Sequence, residues 1–446
     1  MPDHLLIARL EMASLLGFHI LFAVAGMAMP LLMAIAEHRW IRTNDRVYRD
    51  LAERWARGTG ILFAVGAVSG TVLSFALGLL WPNFMRHAGP VIGMPFSLEG
   101  FAFFLEAIFL GIYLYGWDRL RPRLHWLCGV AVLGSGTLSG IFVVCANAWM
   151  NMPAGFRVEA GQFVDIDPWA AMWNPGWLLY SLHMVVAAFV TIGFAVAAIH
   201  AWMLLRHPLH PLHQRAYGIA LGVALLSGLL QPLTGDWLAK QTAERQPMKL
   251  AAMEAQWDTT VRAPLRIGGW PDAARETTCC AIELPGMLSW LAYGERQAVV
   301  QGLRELPPED RPPVVVVHLA FQLMIAMGTL LVLTAVIGLA YRGLRKAWPR
   351  APWFLRLVIG CGVAGFVALE AGWTVTEVGR QPWIIYRIMR TADAVTPVPH
   401  LWSSFLLFLV LYALLGVIVL RLLQYHVFRT VDGMPQHGAG LGGAHG

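Results

Sequence analysis

The chain has 446 residues, of which 57% are hydrophobic and only 13% charged, with a formal net charge of +6. Soluble domains carry about 25% charged residues, so an ordinary soluble globule is excluded. No basic patch interleaved with aromatics lies on a soluble stretch, so nucleic acid is not an expected partner. The positive charge sits in short loops, where anionic lipid headgroups attract it.

Apolar runs reaching the roughly 20 helical residues that cross a bilayer occur nine times, near 12–36, 59–81, 97–117, 126–148, 177–203, 217–237, 314–341, 354–376 and 401–424. The expected fold is an all-α integral membrane protein with nine transmembrane helices. The first run is too long for a signal peptide and has no basic leader apart from Arg9. It carries His19, about 10 Å below its start at about 1.5 Å per residue. The loop at 37–57 then holds six arginines, and those at 118–125 and 341–352 are also basic, whereas 82–96 has only Arg86. Short basic loops stay in the cytoplasm. That puts the N-terminus outside and the C-terminus inside.

The third run opens with Glu99 and Glu106, two helical turns apart and so on one face, and Asp118 lies at its inner end. The fourth run contributes Ser139 and Asn147, the fifth His183, the seventh Met324, and the eighth Glu370 and Glu377 ahead of Arg380. Between the sixth and seventh runs, 238–313 is an unusually long outer connection, and such loops are functional or disordered. Its stretch 248–257 reads as an amphipathic helix bearing Lys249 and Glu254, and the proline-rich 305–313 as a rigid return to the membrane. The chain thus divides into 1–237 (six helices), 238–313 (outer loop), 314–431 (three helices) and a flexible glycine-rich tail, 432–446, with His437 and His445. Cys128, Cys145 and Cys361 read as small packing residues. Cys279 and Cys280 are adjacent, are not expected to bridge, and match no zinc or haem-attachment spacing.

Ionisable groups inside a bilayer are costly and mark ion paths, proton relays or cofactors. His19, Glu99, His183, Met324 and Glu377 come from five helices and are expected at one depth near the outer surface. Haem iron takes His or Met as axial ligands, so this is the inventory of a haem protein that moves protons. Asp118, Glu106 and Glu99, with Ser139 and Asn147, form a ladder suited to proton uptake. Arg380, Arg387 and Arg390 break the positive-inside pattern and ask for anionic partners such as haem propionates. A secondary transporter would show internal repeats and broken helices, and neither is visible.

Several motifs sharpen this reading: Gly372-Trp373 with Glu377, Gly379-Arg380-Gln381-Pro382-Trp383, and Glu99-Gly100 with Phe103-Phe104-Leu105-Glu106. Others are Gly116-Trp117-Asp118-Arg119-Leu120, Asn147-Ala148-Trp149-Met150, and Asn174-Pro175 ahead of His183. In these, over nearly its whole length, the chain resembles subunit I of cytochrome bd, the membrane quinol oxidase that reduces O2 to water. The resemblance implies two haems b, one low-spin and one high-spin, and one haem d or a third haem b. His183 and Met324 would ligate the low-spin haem, and His19 and Glu377 would each ligate one high-spin haem. Glu99 would lie by the oxygen-reacting haem, with Arg9, Trp373 and Arg380 in the haem pocket or near propionates. Lys249 and Glu254 match the quinol pair in the family's shorter outer loop.

The implied partners are quinol, O2, a second large membrane subunit and a small single-helix subunit, in the bacterial cytoplasmic (inner) membrane. No histidine cluster of the kind a copper centre needs is present. One departure stands out: the family has Phe-Arg-x-Met where this chain reads Phe321-Gln322-Leu323-Met324. Its counterpart reading is a haem-containing electron-transfer subunit without oxygen reduction.

Overall fold

The structure, a computed structural model, describes residues 4–395 and 401–428. Four long helices open it: α1 (His4–Thr43), α2 (Arg46–Leu80), α3 (Pro82–Tyr115) and α4 (Pro122–Asn151). A hairpin of β1 (Arg157–Glu159) and β2 (Gln162–Val164) and the short α5 (Pro168–Met172) lead to α6 (Trp177–Arg206) and α7 (Pro211–Arg245). The long connection then folds as α8 (Pro247–Met253), β3 (Thr260–Val261), β4 (Leu265–Asp272), β5 (Thr277–Leu284), α9 (Met287–Tyr293) and β6 (Val299–Val300). The chain continues through α10 (Val314–Arg345), α11 (Pro352–Val378), β7 (Trp383–Ile385), β8 (Met389–Arg390), α12 (Thr391–Ala394) and α13 (Leu401–Leu423).

Among the described residues, nine helices are long and apolar enough to cross a membrane. Their starts are written locally. Proline stands in the first turn of α3, α4, α7 and α11, where no backbone donor is lost. Asp45 caps α2 by accepting the Val47 N–H, which satisfies one of the open donors at a helix start. Short links between successive long helices force antiparallel neighbours: α1 packs on α2, α3 on α4 and α6 on α7, while α6 also packs on the sequence-distant α11. Glycine sets the closest approach. A Cβ on Gly193 of α6 would lie 2.9 Å from the Ala224 backbone of α7.

Several expectations change. Residues 82–96 are not a loop but the first turns of α3, with Phe84, Val91 and Ile92 buried. The sixth span runs on to Arg245, so the long connection begins at Gln246 rather than at 238. That connection is structured: β4 and β5 pair antiparallel from Leu265↔Leu284 to Asp272↔Thr277. The stretch 248–257 is helical only to Met253 and is buried throughout, so it is not amphipathic. Asp118 lies beyond the end of α3, 83% exposed and 2.6 Å from Arg49. The tail at 432–446, with His437 and His445, lies outside the described residues.

Candidate functional site

At the end of the bundle that carries α8, charge is gathered under a buried cover. Lys249 is only 3% exposed. Its Nζ donates to Asn151 Oδ1 at the end of α4 (2.5 Å) and to the Thr376 carbonyl of α11 (3.3 Å). Gln246 braces the same Asn151 through its carbonyl and side chain. The Lys249 stem lies over Gly379, where a Cβ would be 3.1 Å from Cγ. Burial, reinforced by Arg380 and opposed by Glu377, lowers the Lys249 ammonium to about 7. Next to this, Arg380 is buried and donates to Glu377 Oε2 (2.6 Å), and Asn147 Nδ2 donates to the other Glu377 oxygen. The remaining Arg380 donor, Nη1, has no partner.

Glu254 ends α8 and is also buried. The turn that carries it is gripped from three sides. His318 Nδ1 meets the Met253 carbonyl (2.8 Å), Thr278 donates to the Ala255 carbonyl (3.1 Å), and Arg266 donates to Gln256 Oε1 (2.6 Å). Glu254 Oε2 has no partner. Burial pushes the Glu254 carboxyl up to about 8, against the pull of Arg266.

Two histidines are held in one defined tautomer. His19 Nδ1 lies 3.0 Å from Ser69 Oγ, and that hydroxyl already donates to the Gly66 carbonyl. His183 Nδ1 lies 3.0 Å from Thr234 Oγ1, which already donates to the Gln231 carbonyl. A hydroxyl has a single hydrogen to donate, so each ring must donate from Nδ1. This leaves Nε2 as the acceptor, the form in which histidine binds a metal, with its other nitrogen oriented by a hydrogen bond; at His183 that acceptor is taken by the Gln231 amide, whose Nε2 lies 3.1 Å away. Glycines make room beside both rings, Gly70 at His19 and Gly235 at His183. Met324 sulfur sits 3.1 Å from where a Cβ on Gly372 would be. Beside it, a cavity of about 430 Å³ between α10 and α11 is lined by Leu323, Phe366 and Glu370.

The helix-three carboxylates face α4. Ser139 donates to Glu99 (3.3 Å), and Glu106 is buried between Gly26 and Gly136, each leaving 3.0 to 3.3 Å to a would-be Cβ.

The chain matches the family described as "Cytochrome bd terminal oxidase subunit I" over residues 7–431. The chain belongs to that family. It is 36% identical over 428 residues to the "Putative cytochrome bd menaquinol oxidase subunit I" of Bacillus subtilis, covering 95% of this chain and 96% of that one. It is 28% identical over 502 residues to the "Cytochrome bd-II ubiquinol oxidase subunit 1" of Escherichia coli, covering 95% and 96%. The bd oxidase structure from Geobacillus thermodenitrificans superposes with a TM-score of 0.90 at 39% identity, over 96% of this chain and 99% of that one. A cytochrome bd subunit I is a haem-bearing oxidoreductase of respiratory electron transport, multi-pass in the bacterial inner membrane, and works with a second subunit.

The residues present suit the family's haems. Two histidines turn an acceptor Nε2 away from their Nδ1 bonds, that of His183 held by Gln231 Nε2 at 3.1 Å, an amide a metal would displace, and Arg380 Nη1 is a buried unpartnered cation donor of the kind a propionate satisfies. Asn147, expected to contribute a hydrogen bond to the proton path, instead bonds Glu377. Arg9 is half-buried on α1, and Trp373 packs against the cluster of Val144, Ala148 and Tyr180. Sequence reasoning singled out Glu370 only as a second carboxylate on its helix; it is half-buried, 3.2 Å from a would-be Cβ on Gly17, with Oε1 unpartnered. Its spacing of seven from Glu377 was the available signal. Sequence reasoning passed over Glu37 and His125, read as loop ends because the helices run past their apolar stretches.

Proposed function

We propose that the protein is the quinol-oxidising, O2-reducing subunit of a cytochrome bd-type oxidase, with its α8 end outside and its C-terminus in the cytoplasm. The orientation rests on the arginines at 37–57 and 341–352. His183 and Met324 hold the low-spin haem b. His19 and Glu377 each hold one high-spin haem, a haem b and a haem d or third haem b, with Arg9, Trp373 and Arg380 lining the pocket. When bound, these haems carry electrons from quinol and supply the iron at which O2 is reduced to water.

The protein's own groups handle the protons. Glu254 accepts the quinol hydroxyl proton through its unpartnered Oε2, and Lys249 orients the ring oxygen within the connection that follows α7. Glu254 ends this transfer neutral, and the proton leaves on the outer side. On the cytoplasmic side, Asp118, Glu106 and Glu99, with Ser139, hold protons bound for oxygen chemistry. Release on one side and uptake on the other separates charge. A small single-helix subunit joins the second large subunit in the assembly.

The observation that carries this reading is the burial of Lys249 against α4 and α11 and of Glu254 beneath α10 and the β4–β5 hairpin, at the same end as the Glu377–Arg380 pair. The counterpart, electron transfer without oxygen reduction, leaned on Gln322. Here that amide is occupied by β4: Nε2 donates to the Arg266 carbonyl and Oε1 accepts the Gly268 N–H, both at 2.9 Å. The test is Glu254→Gln in the purified complex. Turnover with quinol should fall at least tenfold, while O2 reduction driven by an artificial donor stays near wild type. Equal loss with both donors would assign Glu254 to folding or to the haems.

A further inference from the structure

The polar face of α3 does not end at Glu106. Seven residues further on stands Tyr113, so Glu99, Glu106 and Tyr113 share one face of the helix. Each meets a small residue of α4: Ser139, Gly136, and then Gly129, where a Cβ would lie 2.7 Å from the Tyr113 ring. At the far end from α8, His125 of α4 is clamped at both nitrogens. Nε2 lies 2.9 Å from the Tyr113 carbonyl, and Nδ1 lies 2.7 Å from Glu37 Oε1 of α1. Glu37, Tyr113 and His125 are all at most 1% exposed.

Three polar atoms along this seam have no hydrogen-bond partner: Glu37 Oε2, the Tyr113 hydroxyl and Glu106 Oε1. Glu37 lies beside the Tyr113 hydroxyl. Buried polar atoms are almost always paired, so three orphans in series mark a course for protons and bridging water rather than simple packing. Asp118, by contrast, is exposed and held by Arg49, and the Trp117 ring next to it covers His125 at a centroid distance of 4.1 Å. Arg49 and Glu53 of α2, at the same end, are paired with each other at 2.8 Å.

We propose that Glu37 and Tyr113, with His125 as positioning residue, form the inner stage of the proton route that feeds Glu106. This rests on the reading of Glu106 and Glu99 as that route. His125 is tied at Nε2 to a backbone carbonyl and at Nδ1 to Glu37 Oε1, so it holds the carboxyl in place and leaves Oε2 as the oxygen that takes up a proton from the inner side. Glu37 Oε2 presents the proton to the Tyr113 oxygen, and the hydroxyl passes its own hydrogen on, one in and one out. Two helical turns, about 10 Å, separate Tyr113 from Glu106, and bridging water spans them as effectively as a direct bond.

The test uses the purified oxidase complex in liposomes, comparing Tyr113→Phe, Glu37→Gln, His125→Asn and Glu106→Gln. Tyr113→Phe removes one oxygen and keeps the ring, so it decides the matter even if a Glu37 or His125 variant fails to assemble. The expected result is a reduced-minus-oxidised spectrum like wild type, with proton uptake after O2 mixing slowed tenfold or more in both Tyr113→Phe and Glu106→Gln. Wild-type uptake in Tyr113→Phe alongside slow uptake in Glu106→Gln would overturn the inner stage alone. Wild-type uptake in both would overturn the route itself.

Discussion

At the scale of single residues, Glu254 is raised to about 8 and Lys249 lowered to about 7, both chiefly by burial. The sign for activity follows directly. Below about 8 Glu254 is mostly protonated and cannot take a second proton, so quinol oxidation should climb as pH rises through that value. The climb should vanish in Glu254→Gln, whose residual rate has no such group to titrate. A steady-state pH profile of both forms checks this, and a profile in the variant that still rises there would place the titrating group elsewhere.

The hydroxyls behind the histidines make a second prediction. Ser69 and Thr234 fix the Nδ1–H tautomer, and loss of such an outer partner typically costs 10–100-fold in metal affinity or activity. Thr234→Ala should therefore weaken the low-spin haem and Ser69→Ala one high-spin haem, each leaving the other signal near normal. Haem quantitation with difference spectra measures it. Loss of both signals in either variant would mean a folding role.

At the scale of elements, most of the membrane helices were legible, because about 20 apolar residues in a row admit few other readings. Their ends were not. α1 and α4 continue as helix through Glu37 and His125 because those side chains pair with each other at 2.7 Å inside the bundle, a tertiary contact with no local signature. The 238–313 segment hid its hairpin for a similar reason. β4 and β5 carry no clean alternation, and Gly268 and Gly269 take left-handed φ values of 68° and 102°. What fixes the pair is contact with α10: His318 Nε2 meets the Gly268 carbonyl (3.1 Å), and Gln322 clasps β4 twice.

The Phe-Arg-x-Met departure thus has a structural consequence at the hairpin. Gln322→Leu removes both clasping bonds, together worth about 1–3 kcal/mol. Amide exchange across 265–284 should quicken and the KM for quinol rise, while the low-spin midpoint potential moves little. A large shift in midpoint with unchanged exchange would instead tie Gln322 to the haem.

At the scale of the whole molecule, the site lies at one end of a helical bundle and the basic loops at the other, which is why its residues come from α1, α4, α6, α7, α8, α10 and α11. The candidate ligands were legible as isolated polar residues in apolar runs. The groups that orient them, Ser69 and Thr234, and those that brace Lys249, Asn151 and Gln246, were not, since hydroxyls and amides in helices have many uses. α13 packs on α1 and α2 and is otherwise sparsely covered, with Leu407, Val410 and Leu414 exposed, as suits a chain that works within a larger membrane assembly.

The central claim is that His183 and Met324 hold the haem that receives electrons from quinol. The most direct measurement is the reduced-minus-oxidised spectrum of purified His183→Ala and Met324→Leu, taken with quinol turnover. The account predicts that both variants lose the low-spin signal and quinol oxidation while the high-spin signals remain. A normal low-spin spectrum in both would contradict it.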